Sequence, residues 1–223
     1  MKIKPHKKFE GIFVLDGKLA TINLTPGQKV YGEELIKEKN IEYRIWDFWR
    51  SKPAAAIKNG LKEFPLKEGM KILYLGIASG TTASHFSDII GREGIIYGVD
   101  IAERVLRDLI AHAEKRGNII PFLGDSRKPE DYENVVMEKV DCAYEDVASP
   151  DQVQILIRNA QKFLKPKGFA MVAIKSQSID VTKDPKKIYK ESLGELEKYF
   201  EILDKVELDP YEKAHLFVVM KMK

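Results

Sequence analysis

The sequence predicts an α/β protein: a doubly wound sheet of seven strands, closed by an antiparallel C-terminal strand and preceded by a small antiparallel β unit. Three observations predict it. From about residue 70 onward, short apolar runs alternate with amphipathic helical stretches. The run Leu73-Tyr74-Leu75 breaks into Gly76-Ile77-Ala78-Ser79-Gly80 and restarts as the helix-like Thr81-Thr82-Ala83-Ser84-His85-Phe86, a strand–loop–helix turn of the kind that cradles nucleotide-type ligands. Residues 1–50 carry hairpin punctuation and no helical period, and are read as a small N-terminal β domain ahead of an α/β domain over 51–223.

In the small β unit, Gly11–Leu15 and Leu19–Leu24 flank Asp16-Gly17, a two-residue hairpin signature. Thr25-Pro26-Gly27 makes the next turn, and Val30-Tyr31-Gly32 and Tyr43–Trp46 are expected to add strands. Ser51-Lys52-Pro53-Ala54-Ala55-Ala56-Ile57 opens a helix, with Ser51 or Lys52 near the N-cap, Pro53 near the first helical position, and Gly60 as its stop. After the glycine loop a helix is expected over about 81–90, then a strand at 94–100 ending in Asp100. A helix over 102–115 places Val105, Leu106, Leu109 and Ile110 on one face. Ile119–Leu123 is the third strand, followed by a weaker helix around 129–138 and a fourth strand at 140–147. A helix at about 150–164, a fifth strand at 169–175 and a helix at about 185–199 come next. The runs 200–206 and 215–220 have no helix between them and should pair antiparallel.

Composition narrows the class. The 223 residues are 44% hydrophobic and 32% charged, which suits an ordinary globular core. No run approaches the roughly 18 apolar residues of a membrane span, and Met1-Lys2-Ile3-Lys4 leads into no signal-peptide core, so no membrane partner is expected. A single cysteine, Cys142, excludes an intrachain disulfide and fits the cytosol, and with four histidines it makes no zinc cluster. The net charge of +3 is mild; Lys2, Lys4, Lys7 and Lys8, and Lys183, Lys186, Lys187 and Lys190, are basic clusters that suit phosphates or simply solvent.

The chemistry gathers at strand ends. Gly76 and Gly80 permit a tight turn and close approach of backbone to a ligand, and the following helix offers unpaired N–H groups to an anion such as a carboxylate. The Gly-x-x-x-Gly spacing departs from the Gly-x-Gly-x-x-Gly of dinucleotide dehydrogenases, which disfavours NAD. Asp100 ends the second strand, where it can accept hydrogen bonds from ribose hydroxyls, and Asp125 with Ser126 ends the third, against an adenine edge. Each acid alone reads as a turn or cap residue. Together with the loop they fit S-adenosylmethionine, with its amino-acid tail over the loop. Asp146 and Lys175 end strands four and five and point into the same crevice, where a lysine and a carboxylate can orient and deprotonate a weak nucleophile. Lys52 and His215 read either as members of that network or as ordinary surface polar residues. His85 and His112 lie on helices and read as surface or packing residues.

At this point the sequence resembles a known family. Gly76-Ile77-Ala78-Ser79-Gly80-Thr81-Thr82 is similar to the Gly-Ala-x-x-Gly-Thr-Thr loop of the fibrillarin family. So are Tyr43–Trp46 with Arg50–Ile57, Asp146-Val147-Ala148, Asp151-Gln152, Ile174–Asp180 and Pro210–His215, which span nearly the whole chain; the absent glycine–arginine-rich tail matches the archaeal form. The resemblance implies a Rossmann-like methyltransferase sheet and an RNA 2′-O-ribose methyltransferase using S-adenosylmethionine. It further implies guidance by box C/D RNA to rRNA and tRNA targets, a Nop-domain scaffold protein, a kink-turn-binding ribosomal protein, and work in the archaeal cytosol. The family's Lys-Asp-Lys-His constellation falls on Lys52, Asp146, Lys175 and His215. Its cofactor contacts fall on Thr81, Thr82, Ala83, Asp100, Ile101, Asp125, Ser126, Glu145, Asp146, Val147 and Ala148, with Gly76, Ala78, Gly80 and Gln152 completing the set. Three departures stand out: Asp100 where the family usually has Glu, Glu145 for a common Gln, and Ala214 for a common Asp.

Two other functions fit the residues less well. A base N-methyltransferase would carry Asn/Asp-Pro-Pro-Tyr after strand four, where this chain has Asp146-Val147-Ala148-Ser149; Asp209-Pro210-Tyr211 lacks the second proline and follows strand six. A non-enzymatic assembly subunit would not need the intact loop together with all four polar site residues.

Overall fold

The computed structural model describes residues 3–223; Met1 and Lys2, which open the leader reading and the first basic cluster, lie outside the described residues. Strands β1 (Lys4–Pro5), β2 (Ile12–Leu15), β3 (Lys18–Ile22), β4 (Leu35–Glu38) and β5 (Ile41–Trp46) form an antiparallel sheet in the order β1-β2-β3-β5-β4. Asp16 and Gly17 both take positive φ, +48° and +82°, so the two-residue turn carries the twist of the strands it joins. The strand expected at 30–32 is absent. Glu33 accepts hydrogen bonds from the N–H groups of Val30 and Tyr31 at 2.9–3.0 Å, which takes those donors out of any ladder, and β4 begins only at Leu35.

Helix α1 (Lys52–Lys58) stops at Asn59, with Gly60 left-handed at φ +95° as expected. The second sheet comprises β6 (Lys71–Leu75), β7 (Ile95–Asp100), β8 (Ile119–Leu123), β9 (Val140–Glu145), β10 (Leu164–Lys175), β11 (Phe200–Glu207) and β12 (His215–Met222), in the order β11-β12-β10-β9-β6-β7-β8. Strand β12 runs antiparallel to both of its neighbours, β10 and β11; the pairs among β6–β10 are parallel. Helices α2 (Thr81–Ile90) and α3 (Glu103–Arg116) join α1 and the small sheet over one face, around Trp46, Phe86, Ile89 and Leu109. On the other face lie α4 (Gln152–Phe163) and α6 (Pro185–Leu196), around Ile155, Leu156, Tyr189 and Leu196. One-turn helix α5 (Ser176–Ile179), which the pattern did not suggest, follows β10.

Two expectations over the larger sheet are corrected. The helix around 129–138 is only a 3₁₀ turn at Pro129–Tyr132, because Tyr132 dives into the core and donates its hydroxyl to the Asn159 side chain of α4. Strand β10 starts at Leu164 and runs through the Pro166-Lys167-Gly168 turn by a register shift between Leu164 and Phe169, with Lys167 at φ +61°.

Helix α2 is buried almost all round, as a helix sandwiched between two sheets must be. Polar groups that would otherwise be stranded there form one network. Arg44 of β5, fully buried, donates to Glu33 at 2.7 Å, to Asp88 at 2.9 Å and to the Ser84 hydroxyl at 2.9 Å. Asp88 also accepts from Arg116 at 2.7 Å, Thr21 at 2.7 Å and the Leu24 N–H at 3.0 Å. His85, whose basicity burial depresses below the ordinary histidine value, lies within hydrogen-bond distance of Thr21 and Tyr31 and stacks on Trp46 with ring centroids 5.1 Å apart.

Breaking a buried ion pair by removing one partner strands the other charge, at a cost of about 3–5 kcal/mol. Asp88→Ala strands Arg116 and leaves Arg44 with Glu33 alone, so it is expected to lower the thermal midpoint by roughly 10 °C for a domain of this size. Arg107→Ala, which removes an exposed helix-surface pair with Glu103, serves as control and should stay within about 0.5 kcal/mol of wild type. Thermal denaturation of the two variants side by side checks this.

Candidate active site

Strands β6 and β9 are parallel neighbours, and the backbone leaves their carboxyl ends toward opposite faces, β6 into α2 and β9 into α4. That divergence opens a crevice at the topological switch point. Gly76 sits on its floor with φ +79°; a Cβ there would come within 3.0 Å of both atoms of the Asp146 carbonyl group, which have no room to yield. Gly80 takes φ +89°, where a Cβ would meet Leu109 at 2.5 Å. Asp100 ties the loop to the next strand: one carboxylate oxygen accepts from the Ala78 N–H at 2.8 Å and the other from Ala102 at 2.9 Å. The first N–H groups of α2 have no intrahelical partner and face the loop end.

The crevice measures about 500 Å³ and is lined by Gly76, Ala78, Asp100, Ile101, Asp125, Ser126, Asp146, Val147, Ala148 and Lys175, all expected from the sequence. It is also lined by Arg127, Ser149, Pro150 and Ile155, which sequence reasoning did not single out as site residues. Arg127 grips Asp125 with its Nε and Nη2 at 2.8–3.0 Å, and this hydrogen bonding holds the Asp125 carboxyl below its ordinary range. The signal available was an arginine two residues beyond the strand-end acid. A larger depression of about 910 Å³ beside α6 and β11 is lined by lysines with Glu197 and Glu207 but by none of Asp100, Asp125 and Asp146, so the crevice chemistry does not converge there.

Several expected cofactor contacts do not line the crevice. Thr82 is buried, with its hydroxyl 2.9 Å from that of Ser51, which is how the start of α1 is fastened to α2; Ser51 therefore does not cap its own helix. Ala83 is wholly within the core, leaving only its backbone to act. Gly80 and Thr81 stand at the rim where loop becomes helix. Gln152 is fully buried and brackets the two strand ends, donating to the Val147 carbonyl at 3.2 Å and accepting from the Lys175 N–H at 2.8 Å. It positions Lys175 rather than facing the cleft. Glu145 points into the α4 side of the core, fully buried, and neither carboxylate oxygen has a hydrogen-bond partner. Burial pushes its carboxyl well above the ordinary range.

Beside the crevice stands the polar constellation. Asp146 Oδ1 lies 2.8 Å from Lys175 Nζ and 3.1 Å from Lys52 Nζ, within ion-pair reach of both but without a well-angled hydrogen bond from either. Lys175 Nζ donates instead to the Asp146 backbone carbonyl at 2.8 Å, and Lys52 Nζ to Oδ2 at 3.2 Å. The side chains of all three are about 15% exposed, enough to meet a substrate. Glu212 comes within 3.9 Å of Lys52. His215 faces Lys175 across the β10–β12 ladder, and its Nδ1 lies 2.7 Å from the Lys213 carbonyl. A carbonyl only accepts, so Nδ1 carries the proton and Nε2 keeps its lone pair in the neutral ring. Burial holds the His215 pKa down, and the charges of Lys52 and Lys175 push the same way. Among the described residues, no group of side chains is suited to hold a metal ion.

The chain is similar to known proteins over nearly its whole length. The family model described as Fibrillarin matches residues 3–223. The sequence is 56% identical over 227 residues to the "Fibrillarin-like rRNA/tRNA 2'-O-methyltransferase" of Pyrococcus furiosus, covering 99% of each. Its structure is similar to that of Aeropyrum pernix fibrillarin in complex with natively bound S-adenosyl-L-methionine, with a TM-score of 0.91 at 49% identity over 99% of this chain and 98% of that one. It is likewise similar to fibrillarin in a fibrillarin/Nop5p complex, with a TM-score of 0.89 at 39% identity over 99% of this chain and 100% of that one.

The buried, unpartnered Glu145 has a measurable consequence. Its folded-state pKa lies above the ordinary 4.5, so its stability contribution is intact below that value and is lost as pH rises toward the folded one. Glu145→Gln, which removes the titration but keeps a neutral polar group of the same size, is expected to raise the thermal midpoint at pH 8. The gap should narrow at pH 5. Thermal denaturation at the two pH values decides it.

Proposed function

The chain belongs to the fibrillarin family, and from that premise we propose that it is an RNA 2′-O-methyltransferase that uses S-adenosylmethionine and acts on ribose hydroxyls of rRNA and tRNA. The observation that carries the proposal is Asp146, held between two lysine ammonium groups at the carboxyl end of β9, directly beside the glycine-loop crevice. The crevice fits the cofactor by its donor set. Strand-end Asp100 offers carboxylate oxygens toward a ribose, Asp125 and Ser126 an edge for the adenine, and the start of α2 unpaired N–H groups for the methionine carboxylate. The absent side chain at Gly76 keeps the crevice floor clear, and that at Gly80 lets the loop pass Leu109. Bound there, S-adenosylmethionine supplies an electrophilic methyl group.

The protein's own residues then have to make a poor nucleophile react. A ribose 2′-hydroxyl keeps its proton at neutral pH and needs both orientation and a nearby base. The Asp146–Lys175 pair is assigned to orient and deprotonate the hydroxyl: Asp146 Oδ1 is buried against the two ammonium groups, and Lys175, locked against the Asp146 carbonyl, fixes the pair beside the crevice. Lys52 holds the second carboxylate oxygen and keeps Asp146 from swinging away. The neutral His215 ring, with Nε2 free to accept, completes the network at the substrate side. Positioning of this kind supplies roughly 7–11 kcal/mol of barrier reduction in well-oriented systems.

The same reading extends to the assembly. A net charge of +3 favours weak binding of RNA by the isolated protein, so target selection is delegated to a box C/D guide RNA held with a Nop-domain scaffold and a kink-turn-binding ribosomal protein, in the archaeal cytosol. The solved fibrillarin/Nop5p complex, to which this chain is similar, supports the scaffold part of that assembly.

In a reconstituted, guide-directed methylation assay, Asp146→Ala and Lys175→Ala are each expected to slow methyl transfer by roughly 10²–10⁴-fold, while calorimetric affinity for S-adenosylmethionine changes by less. Full activity in both variants would sink the mechanism. Because burial lowers the His215 pKa from 6.5, its imidazole stays neutral through that value as pH falls. The acid limb of the rate profile should therefore break below 6.5 in the wild type and be absent in His215→Gln.

A further inference from the structure

We propose that Trp49 and Tyr211 form an aromatic platform that packs against the face of a nucleotide in the RNA strand being methylated, beside the reacting ribose. The proposal deepens the methyltransferase reading and rests on it for the identity of the strand. Trp49 is 58% exposed, whereas Trp46, three residues earlier, is fully buried. An exposed indole that joins other aromatic rings makes an apolar patch with a wet edge, and such patches mark contact surfaces. Nor is its ring adrift. The Trp49 ring stands edge-on to Tyr211 with centroids 4.8 Å apart and planes at 76°, and Tyr211 in turn leans on Phe48 at 4.8 Å. The Trp49 backbone N–H donates to the Asp47 carboxylate at 2.8 Å, which fixes the loop that presents the ring.

Both halves of the platform are attached to the reaction site. Trp49 lies three residues before Lys52, and Tyr211 is followed directly by Glu212, whose carboxylate is 3.9 Å from Lys52 Nζ. This surface therefore adjoins the Lys52–Asp146 pair, where a strand entering the site can rest on it. Charge agrees with an RNA occupant: Arg50 is exposed, its guanidinium 5.7 Å from the Tyr31 ring, and Lys58 lies 5.5 Å from the Phe48 ring centre. Aromatic faces interleaved with cations are how proteins hold flat, anionic nucleotides, because every base offers a π-face and every linkage a phosphate. A purely apolar partner protein would find arginine and lysine at the rim, which it cannot neutralise.

The test uses the full-length protein saturated with S-adenosylmethionine. Since Trp46 is buried, the solvent-exposed part of the tryptophan emission belongs to Trp49. A single-stranded RNA oligonucleotide should quench it, and the half-saturating RNA concentration can be set beside that for methyl transfer in the assembled, guide-directed complex. Trp49→Ala and Trp49→Leu are expected to raise the half-saturating RNA concentration for transfer roughly ten- to hundredfold, as loss of a stacked base does. Trp49→Phe, which keeps a π-face, should stay within about threefold of wild type. Affinity for S-adenosylmethionine and the thermal midpoint should not move, because the ring lies outside the crevice and the core. A leucine variant equal to wild type would overturn the proposal in favour of an apolar seat for a protein, and so would an alanine variant that binds and reacts normally. Quenching by RNA without any transfer to ribose would instead defeat the methyltransferase reading while leaving the platform intact.

Discussion

Helix α2 has nowhere to be exposed. The small sheet presses on one side of it and the large sheet on the other, and nearly every residue it carries is buried. This constraint governs much else. A helix in that position must take its polar groups into the core, so Asp88, Ser84 and His85 need partners that only the flanking elements can supply: Arg44 and Thr21 from the small sheet, Arg116 from α3. The ion pairs themselves add little net stability against their desolvation, but they leave the helix one register and one rotation. With α2 held, the loop from Gly76 to Gly80 has both of its ends fixed, and the crevice has a rigid wall.

From that wall the catalytic geometry is assembled by short tethers. Ser51 meets Thr82 of α2, which sets the start of α1 and so the base of the Lys52 side chain. Gln152 of α4 spans from Val147 to the backbone of Lys175, holding the ends of β9 and β10 at a fixed separation. Lys52 and Lys175 thus reach Asp146 from different elements, each braced at its root. One carboxylate between two ammonium groups leaves a local surplus of positive charge, which suits the phosphates that flank a ribose. Glu212 tempers that surplus at the outer edge, where the aromatic pair begins.

Glu145 shows the opposite economy. It sits beside the site yet contributes no hydrogen bond to it, and burial in the layer around α4 disfavours its charged form. A protonated acid has nearly the shape of an amide, so the site accommodates either.

Much of this was legible in the sequence. Periodicity and turn chemistry placed both sheets, because buried parallel strands must be apolar runs and an Asp-Gly hairpin needs positive φ at both positions. Residue type at strand ends marked Asp100, Asp125, Asp146 and Lys175, since a doubly wound sheet gathers carboxyl ends at one crevice whatever the intervening helices do. What failed were segments ruled by partners distant in the sequence or by a competing side chain: 30–32, unstranded by Glu33, and the helix at 129–138, cut short when Tyr132 turned inward to Asn159; the bridge that the Gln152 amide makes between two strand ends was likewise invisible to local pattern. The sequence by itself determined the fold class, the loop and the acids, because local pattern and strand polarity suffice for those. Only the tertiary structure decided that His85 is locked in the core, that His215 presents a free Nε2, and that an exposed tryptophan stands at the door of the site. Those outcomes depend on which side chains meet across dozens of residues, and no local pattern carries that information.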